Sequence, residues 1–106
     1  AVYMAFSYFT DGIVLNKYTD IQVAKEQKAI ANGWIPEILP ASAKDIIETH
    51  DTKSGDSFGA CNYTQKDEDA FLSKLTQKKD DNRTFIWGKF LFRIDKEKNR
   101  IKFRNR

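Results

Sequence analysis

The sequence predicts an α+β domain, with a mostly antiparallel sheet of about four strands in two hairpins and two main helices packed on one face. Three observations predict this class: helical periodicity in residues 20–32, a helix-capping pattern in residues 64–77, and alternating aromatic and β-branched residues near the C-terminus. The 106 residues are enough for one domain. We therefore divide the chain into an apolar N-terminal segment, residues 1–15, and a single α+β domain, residues 16–106.

The first nine residues are apolar or aromatic except Ser7, and Asp11 and Gly12 interrupt this run. A membrane-spanning helix needs about 20 apolar residues, so the run is too short to span a bilayer. Two interpretations stay open at this point. The run is either the remainder of a membrane anchor or signal segment, or a strand or helix that packs on the domain.

The first predicted helix covers residues 20–32. Thr19 or Asp20 can cap its first turn, and Gly33 suits the left-handed conformation that often follows a helix. Apolar and small residues recur at the spacing of one helical face. These residues are Val23, Ala24, Gln27, Ile30, Ala31 and Trp34.

The segment after this helix contains two prolines, which prevent a continuous helix and favour extended conformations before them. We expect Trp34, Pro36 and Pro40 to hold the first helix against the sheet. Ser42 is a candidate N-cap of a short helical turn. These three residues, with Ser42 and His50, form a predicted structural motif.

The predicted central hairpin pairs residues 46–50 with residues 57–63, across a turn rich in Asp, Ser and Gly. The second predicted helix covers residues 64–77. Acidic residues lie in its first turn and lysines at its end, as the helix dipole favours.

The strongest strand pattern covers residues 84–95, with Ile86, Phe90, Phe92 and Ile94 predicted on one face. A turn at residues 96–99 then leads to a strand in which Ile101 and Phe103 alternate with basic residues. This pattern predicts a terminal hairpin with one apolar and one charged face.

Catalytic and metal chemistry has little support in the sequence. Cys61 and His50 are the obvious nucleophile and base, but a cysteine among apolar residues is more often buried and unreactive. One Cys and one His are too few for a structural zinc site, and the acidic residues lack calcium-loop spacing. We therefore expect no enzymatic activity, no metal and no cofactor.

The net charge of +3 is unevenly distributed. Residues 1–82 carry nine lysines and thirteen acids, whereas residues 83–106 carry nine basic residues and two acids. A clustered charge attracts an oppositely charged partner, so we expect a protein with an acidic surface. A nucleic acid is the alternative, with Phe85 and Trp87 stacking on bases. The candidate contact residues are Arg93, Arg100, Lys102 and Arg104.

Residues 33–43 (Gly-Trp-Ile-Pro-Glu-Ile-Leu-Pro-Ala-Ser-Ala), with 45–46 and 48–52, resemble the YbbD head domain, which we associate with small bacterial lipoproteins and single-anchor envelope proteins. The resemblance extends over roughly residues 18–75. It implies an extracytoplasmic domain tethered to a bacterial membrane through an N-terminal anchor, and it implies no catalytic residues. The basic C-terminal end departs from the pattern we associate with this family.

The leading hypothesis is therefore a non-enzymatic, envelope-associated domain that binds another protein. An inhibitor or immunity-type role is one form of this hypothesis, because some small anchored envelope proteins act as immunity factors. The alternative is a nucleic-acid-binding module that uses the basic C-terminal hairpin.

Overall fold

The computed structural model describes the backbone of residues 5–10 and residues 12–105 with their side chains. Residues 1–4, Asp11 and Arg106 lie outside the described residues. The predicted anchor remnant therefore falls partly outside them. Of its other residues, 5–10 form one strand and 13–15 begin the next.

The described residues form one antiparallel sheet of eight strands in the spatial order β1-β2-β3-β4-β8-β7-β6-β5. The sheet consists of two meanders, in each of which consecutive strands are neighbours, and the two meanders join where β4 pairs with β8. We call β1–β4 the N-terminal meander and β5–β8 the C-terminal meander. The strands are β1 Ala5–Thr10, β2 Ile13–Asp20, β3 Lys44–Asp51, β4 Ser57–Asn62, β5 Thr76–Lys78, β6 Asp81–Trp87, β7 Phe90–Asp95 and β8 Arg100–Asn105.

The two α-helices are short: α1 is Ile21–Glu26 and α2 is Glu68–Ser73, the latter preceded by a 3-10 turn at Gln65–Asp67. Val23 and Ala24 of α1 and Phe71 of α2 belong to the same buried cluster as the apolar side chains of the sheet. Both helices therefore lie on one face of the sheet. The predicted class, four strands in two hairpins with two main helices, is wrong because the sheet is twice as large and the helices are minor.

The first helix ends six residues earlier than predicted. Asp20 caps it as expected, since its carboxylate accepts a hydrogen bond from the Val23 amide at 2.9 Å. Beyond Glu26 the chain turns repeatedly, with Lys28 at a φ of 63° and Gly33 at a φ of 80°. These turns fold the segment back over the sheet and bury Ala29 completely. A regular helix would carry the chain away from that surface.

The second helix is also shorter than predicted. It ends at Ser73, and Thr76–Lys78 form strand β5, which pairs with β6. Of the apolar residues in the predicted helix, Phe71, Leu72 and Leu75, only Phe71 is buried. The residues after Leu75 form backbone hydrogen bonds with β6. A further helical turn would have left that edge of β6 without a paired strand.

The predicted strand at residues 84–95 is two strands, because Gly88 adopts a φ of 56° and the chain reverses there. The reversal places Ile86 opposite Leu91, whereas Trp87 lies opposite Phe90. Ile86 is therefore on the opposite face from Phe90, and its predicted alignment with Phe90, Phe92 and Ile94 is wrong.

Two predicted pairings are present within the larger sheet. β3 pairs with β4, where His50 lies opposite Ser57, and β7 pairs with β8, where Arg93 lies opposite Lys102. Ser42 does not begin a helical turn, because β3 starts at Lys44. Its hydroxyl instead accepts a hydrogen bond from the Thr64 amide at 3.0 Å and so links the loop before β3 to the segment before α2.

The two faces of the sheet have different roles. The covered face carries the buried side chains and lies beneath both helices and the segment at residues 27–43. No described helix packs on the other face, which we call the open face. Strand alternation and register place on it Leu15, Lys17, Ile47, Thr49, Phe58, Ala60, Ile86, Leu91, Arg93, Arg100, Lys102 and Arg104.

Candidate functional site

A buried carboxylate lies at the centre of the N-terminal meander on the covered face. Glu48 has no exposed surface. The Asn16 amide donates to its Oε1 at 2.7 Å, and His50 Nδ1 lies 2.6 Å from its Oε2. Because a carboxylate accepts, Nδ1 is assigned as the donor. Both carboxylate oxygens therefore have a partner.

Strand geometry explains this arrangement. Glu48 and His50 are two residues apart on β3, so their side chains share a face. Asn16 lies directly opposite Glu48 on β2. Three polar side chains thus meet under the loop at residues 27–43, where water has little access.

The buried site shifts the protonation equilibria of its members. Burial raises the pKa of the Glu48 carboxyl, while the hydrogen bonds from Asn16 and His50 oppose that shift. Burial, together with the nearby Glu48 charge, raises the pKa of the Tyr18 hydroxyl to about 12. Burial therefore acts against the charged forms of both acidic groups.

The predicted motif forms the cover of this site. The Trp34 ring stacks on the His50 ring, with 4.2 Å between centroids and 15° between planes. Pro36 and Pro40 are buried, and Ile35 and Leu39, the residues that precede them, belong to the core cluster. The motif therefore packs the loop directly onto the sheet at β3.

We expect Trp34→Ala to lower the free energy of unfolding by about 2–3 kcal/mol, because it removes a half-buried indole and its stacking on His50. Trp34→Phe retains a ring over His50 and is the matched control, with an expected loss of about 1 kcal/mol. Urea denaturation measures both values. Equal losses for the two variants would show that stacking contributes nothing.

A cleft of about 390 Å³ opens beside His50 and Trp34, at the end of the covered face. It lies where the β3–β4 turn, the β6–β7 turn and the loop at residues 27–43 meet. Its lining includes one lysine, one carboxylate and several amide and hydroxyl groups. The lining residues are Asn32, Gly33, Trp34, His50, Asp51, Thr52, Gly55, Ser57, Lys89 and Asn105.

The structure does not bring Cys61 and His50 together. Cys61 lies opposite Ile101, four residues along β4 from Ser57, the residue that faces His50. That spacing is roughly 13 Å along the strand. Burial raises the pKa of the Cys61 thiol to about 12. Ser57 is the residue that faces His50, but no hydrogen bond joins their side chains.

Within residues 12–105, no group of three or more His, Cys, Asp or Glu side chains is arranged to hold a metal ion. None of the helices in the described part of the chain has the length and apolar character needed to cross a membrane.

The four predicted contact residues share the open face of β7 and β8. Lys102 lies opposite Arg93, and Arg104 lies between Leu91 and Phe58. Arg93 reaches the Asp81 carboxylate at 3.5 Å, and Arg100 Nη1 donates to Asn62 Oδ1 at 3.2 Å.

A groove of about 540 Å³ runs over this basic surface. Phe58, with 57% of its surface exposed, lies at the groove. Lys102 and Arg104 are exposed beside it and make no ion pair with any carboxylate in residues 12–105. The basic side chains therefore surround an apolar centre.

The aromatic residues proposed for base stacking are elsewhere. Phe85 lies opposite Phe92 and Trp87 opposite Phe90, so both belong to the covered face. The structure separates them from the basic residues by the thickness of the sheet.

Sequence reasoning missed two features of these sites. The Glu48-Thr49-His50 spacing places a carboxylate and an imidazole on one face of any strand, but their burial depends on the loop above them. For Phe58 the sequence predicts only a strand. Its exposure depends on which face of the sheet the helices cover.

Residues 12–60 match the family model of the YbbD head domain. The expected resemblance is confirmed over this YbbD-head segment, which is just under half of the 106-residue chain. Comparisons with curated proteins and with solved structures gave no match.

The YbbD-head segment includes α1, the loop at residues 27–43 and β2 to β4, and therefore Asn16, Glu48, His50 and Trp34. It ends at residue 60, before the C-terminal meander. The YbbD head domain is a bacterial domain of unknown function, so the match assigns no activity to the cleft or to the basic groove.

Proposed function

We propose that this chain is a non-enzymatic domain of the bacterial cell envelope that binds another protein, and that the basic groove on the open face of its C-terminal meander contacts an acidic surface of that partner. The observation that carries the proposal is the grouping of Arg93, Lys102 and Arg104 around exposed Phe58. This surface combines an exposed aromatic centre with three basic side chains, and Asp81, which lies 3.5 Å from Arg93, is the acidic residue among the described lining.

The charge of the groove supports an acidic partner. Lys102 and Arg104 make no ion pair in the described chain, so a partner carboxylate does not have to displace one. The Arg93 guanidinium lies 3.5 Å from the Asp81 carboxylate and is exposed, so it can also contact a partner. Complementary charge raises the rate of association and selects against basic partners.

The apolar centre supports a protein partner. Phe58 is 57% exposed, and Leu91 is half-buried at the same groove. An exposed aromatic residue surrounded by charged groups is typical of a protein-binding surface with an apolar centre and a polar rim. An acidic segment with one apolar side chain fits this pattern.

The envelope setting is the part of the proposal that rests on the sequence. The YbbD head resemblance implies a tethered extracytoplasmic domain. The apolar N-terminal run adds no support, because its residues 5–9 lie in β1 and pair with β2. An inhibitor or immunity-type role depends on the identity of the partner and stays a prediction.

The double variant Lys102→Glu/Arg104→Glu tests the groove. Wild-type protein, immobilised and exposed to a bacterial envelope extract, is expected to retain an acidic protein, and the double variant is expected to retain at least about tenfold less of it. The matched control is Lys96→Glu/Lys98→Glu, which makes the same charge change in the exposed β7–β8 turn. Affinities of the purified pair, measured by calorimetry, give the final comparison.

The experiment separates the alternatives. If both double variants lose the partner equally, net charge rather than the groove is responsible. If nuclease treatment removes the retained material and the chain binds single-stranded DNA with a steep salt dependence, the nucleic-acid alternative replaces the proposal. If no protein is retained by the wild type, the proposal fails.

A further inference from the structure

We infer that the outer edge of β1 is an interaction surface, and that it pairs with the same edge of a second copy of this chain. β1 lies at one end of the sheet, and within the part of the chain that the structure describes it pairs with β2 alone. The backbone N–H and C=O groups on its other side therefore have no partner strand there. This edge is separate from the basic groove, so the inference does not depend on the proposed function.

β1 has none of the features that protect an edge strand. Proteins protect such edges with charged residues, proline, bulges or very short strands. β1 covers Ala5–Thr10 and contains no charged residue and no proline. Its register with β2 runs from Ala5 opposite Tyr18 to Thr10 opposite Ile13 without a shift. Its backbone is therefore a regular template for a further strand.

The opposite edge of the sheet is protected. β5 has three residues, Thr76–Lys78, and its register with β6 shifts between Gln77 and Lys78. Lysines occupy positions 78 and 79. A short, irregular and charged strand discourages pairing with another chain. The two edges therefore differ in the way expected if β1 pairs with a partner strand and β5 does not.

Symmetry favours a second copy as the partner. Every pair of neighbouring strands in the sheet is antiparallel. A two-fold axis normal to the sheet places two copies of β1 side by side in the same antiparallel arrangement. This axis keeps the open faces of both copies on one side, so only residues of equal parity lie opposite each other. For the longest overlap, the axis passes beside Ser7 or Tyr8.

Charge also favours a second copy. β1 has no charged residue, so pairing with itself brings no like charges together within the two strands. Lys17 is the one charged residue among the β2 residues that pair with β1. In the dimer, three strand spacings, about 14 Å, lie between the two β2 strands. This exceeds the Debye length of about 8 Å at physiological ionic strength, so repulsion between the two lysines is screened.

Sedimentation measures the dimer, and amide hydrogen exchange locates it. A strand pair of this length is a small interface, so we expect a weak dimer that forms between about 10 µM and 1 mM protein. The amides of alternate β1 residues point away from β2. In NMR exchange experiments we expect these amides to exchange at least about threefold more slowly at the highest protein concentration than at the lowest.

Tyr8→Lys is the deciding variant. Tyr8 lies close to the axis in either register, and it is opposite Leu15, a residue of the open face. We expect dimerisation to weaken at least about tenfold, because two lysines then approach each other. Thr76→Lys is the matched control, because it makes the same charge change at an exposed position of β5. It is expected to leave dimerisation unchanged, and circular dichroism checks that both variants fold.

Four results would overturn the inference. The wild type stays monomeric up to about 1 mM, Tyr8→Lys dimerises as the wild type does, or Thr76→Lys weakens the dimer as much as Tyr8→Lys. The fourth is slow exchange of the outward β1 amides in the monomer, because another segment of the same chain would then cover this edge.

Discussion

Gly59→Ala is expected to lower the free energy of unfolding by at least about 2 kcal/mol. Gly59 lies on β4, where β4 pairs with both β3 and β8. A Cβ atom there would lie 2.3 Å from the Ile47 carbonyl oxygen and 2.6 Å from Phe103 Cζ. Because the oxygen belongs to a neighbouring strand, the clash is relieved only by moving backbone at the junction of the two meanders.

Gly55→Ala is the matched control. Gly55 has a φ of 81° but nothing within 4 Å of its Cβ position, so the same substitution introduces backbone strain without a clash. Its expected cost is about 1 kcal/mol. Urea denaturation of both variants measures the difference, and equal costs would contradict the steric explanation at Gly59.

Glu48→Ala is the second substitution with a large expected effect, a loss of about 3–5 kcal/mol at neutral pH. It leaves the Asn16 amide and His50 Nδ1 without their acceptor and opens a cavity at a fully buried position. Glu48→Gln keeps the shape of the side chain, and its amide can still pair with both neighbours. We expect it to cost about 1 kcal/mol.

The wild type and Glu48→Gln also give a prediction for how the stability of the fold depends on pH. Burial raises the pKa of Glu48 above its ordinary value of 4.5. The folded chain therefore holds this proton more tightly than the unfolded chain, and folding is favoured while Glu48 stays protonated. This contribution is fully present below pH 4.5 and is lost as the pH rises through the folded-state pKa.

Denaturation midpoints of the wild type and Glu48→Gln, measured from pH 4 upward, check this sign. Relative to Glu48→Gln, the wild type is expected to lose stability as the pH rises, by at most about 1.4 kcal/mol per pH unit. If the stability of the wild type instead increased relative to Glu48→Gln as the pH rises, the hydrogen bonds from Asn16 and His50 would have a larger effect on the pKa of Glu48 than burial.

The sequence predicted local features better than the whole fold. Asp20 caps α1, Gly33 takes a left-handed conformation, and the pairs β3–β4 and β7–β8 form. Each of these depends on a few neighbouring residues, because capping and strand alternation are local effects.

The errors in the fold arose where distant residues decide the local structure. Residues 27–32 continue a helical pattern, but the sheet beneath them favours turns that bury Ala29. Gly88 lies within an aromatic run, and it marks a chain reversal only when the residues on its two sides pair with each other as strands. Which face of β4 stays open, and therefore the exposure of Phe58, depends on where the helices pack.

The candidate sites were predicted unevenly for the same reason. The four basic residues alternate along β7 and β8, so their common face followed from period-two counting. The Glu48–His50 pair and its cleft require three separate segments, the β3–β4 turn, the β6–β7 turn and the loop at residues 27–43. No single window of sequence contains all of them.

The junction between β4 and β8 divides the chain in a way that matters for comparison with relatives. The segment that matches the YbbD head domain ends at residue 60, within β4, the strand that pairs with β8. It contributes Glu48, His50 and Trp34 but none of the four basic residues. Both candidate sites nevertheless cross this boundary, because the groove includes Phe58 from the matching segment and the cleft includes Lys89 and Asn105 from the C-terminal meander. A chain cut after residue 60 would therefore have neither site complete.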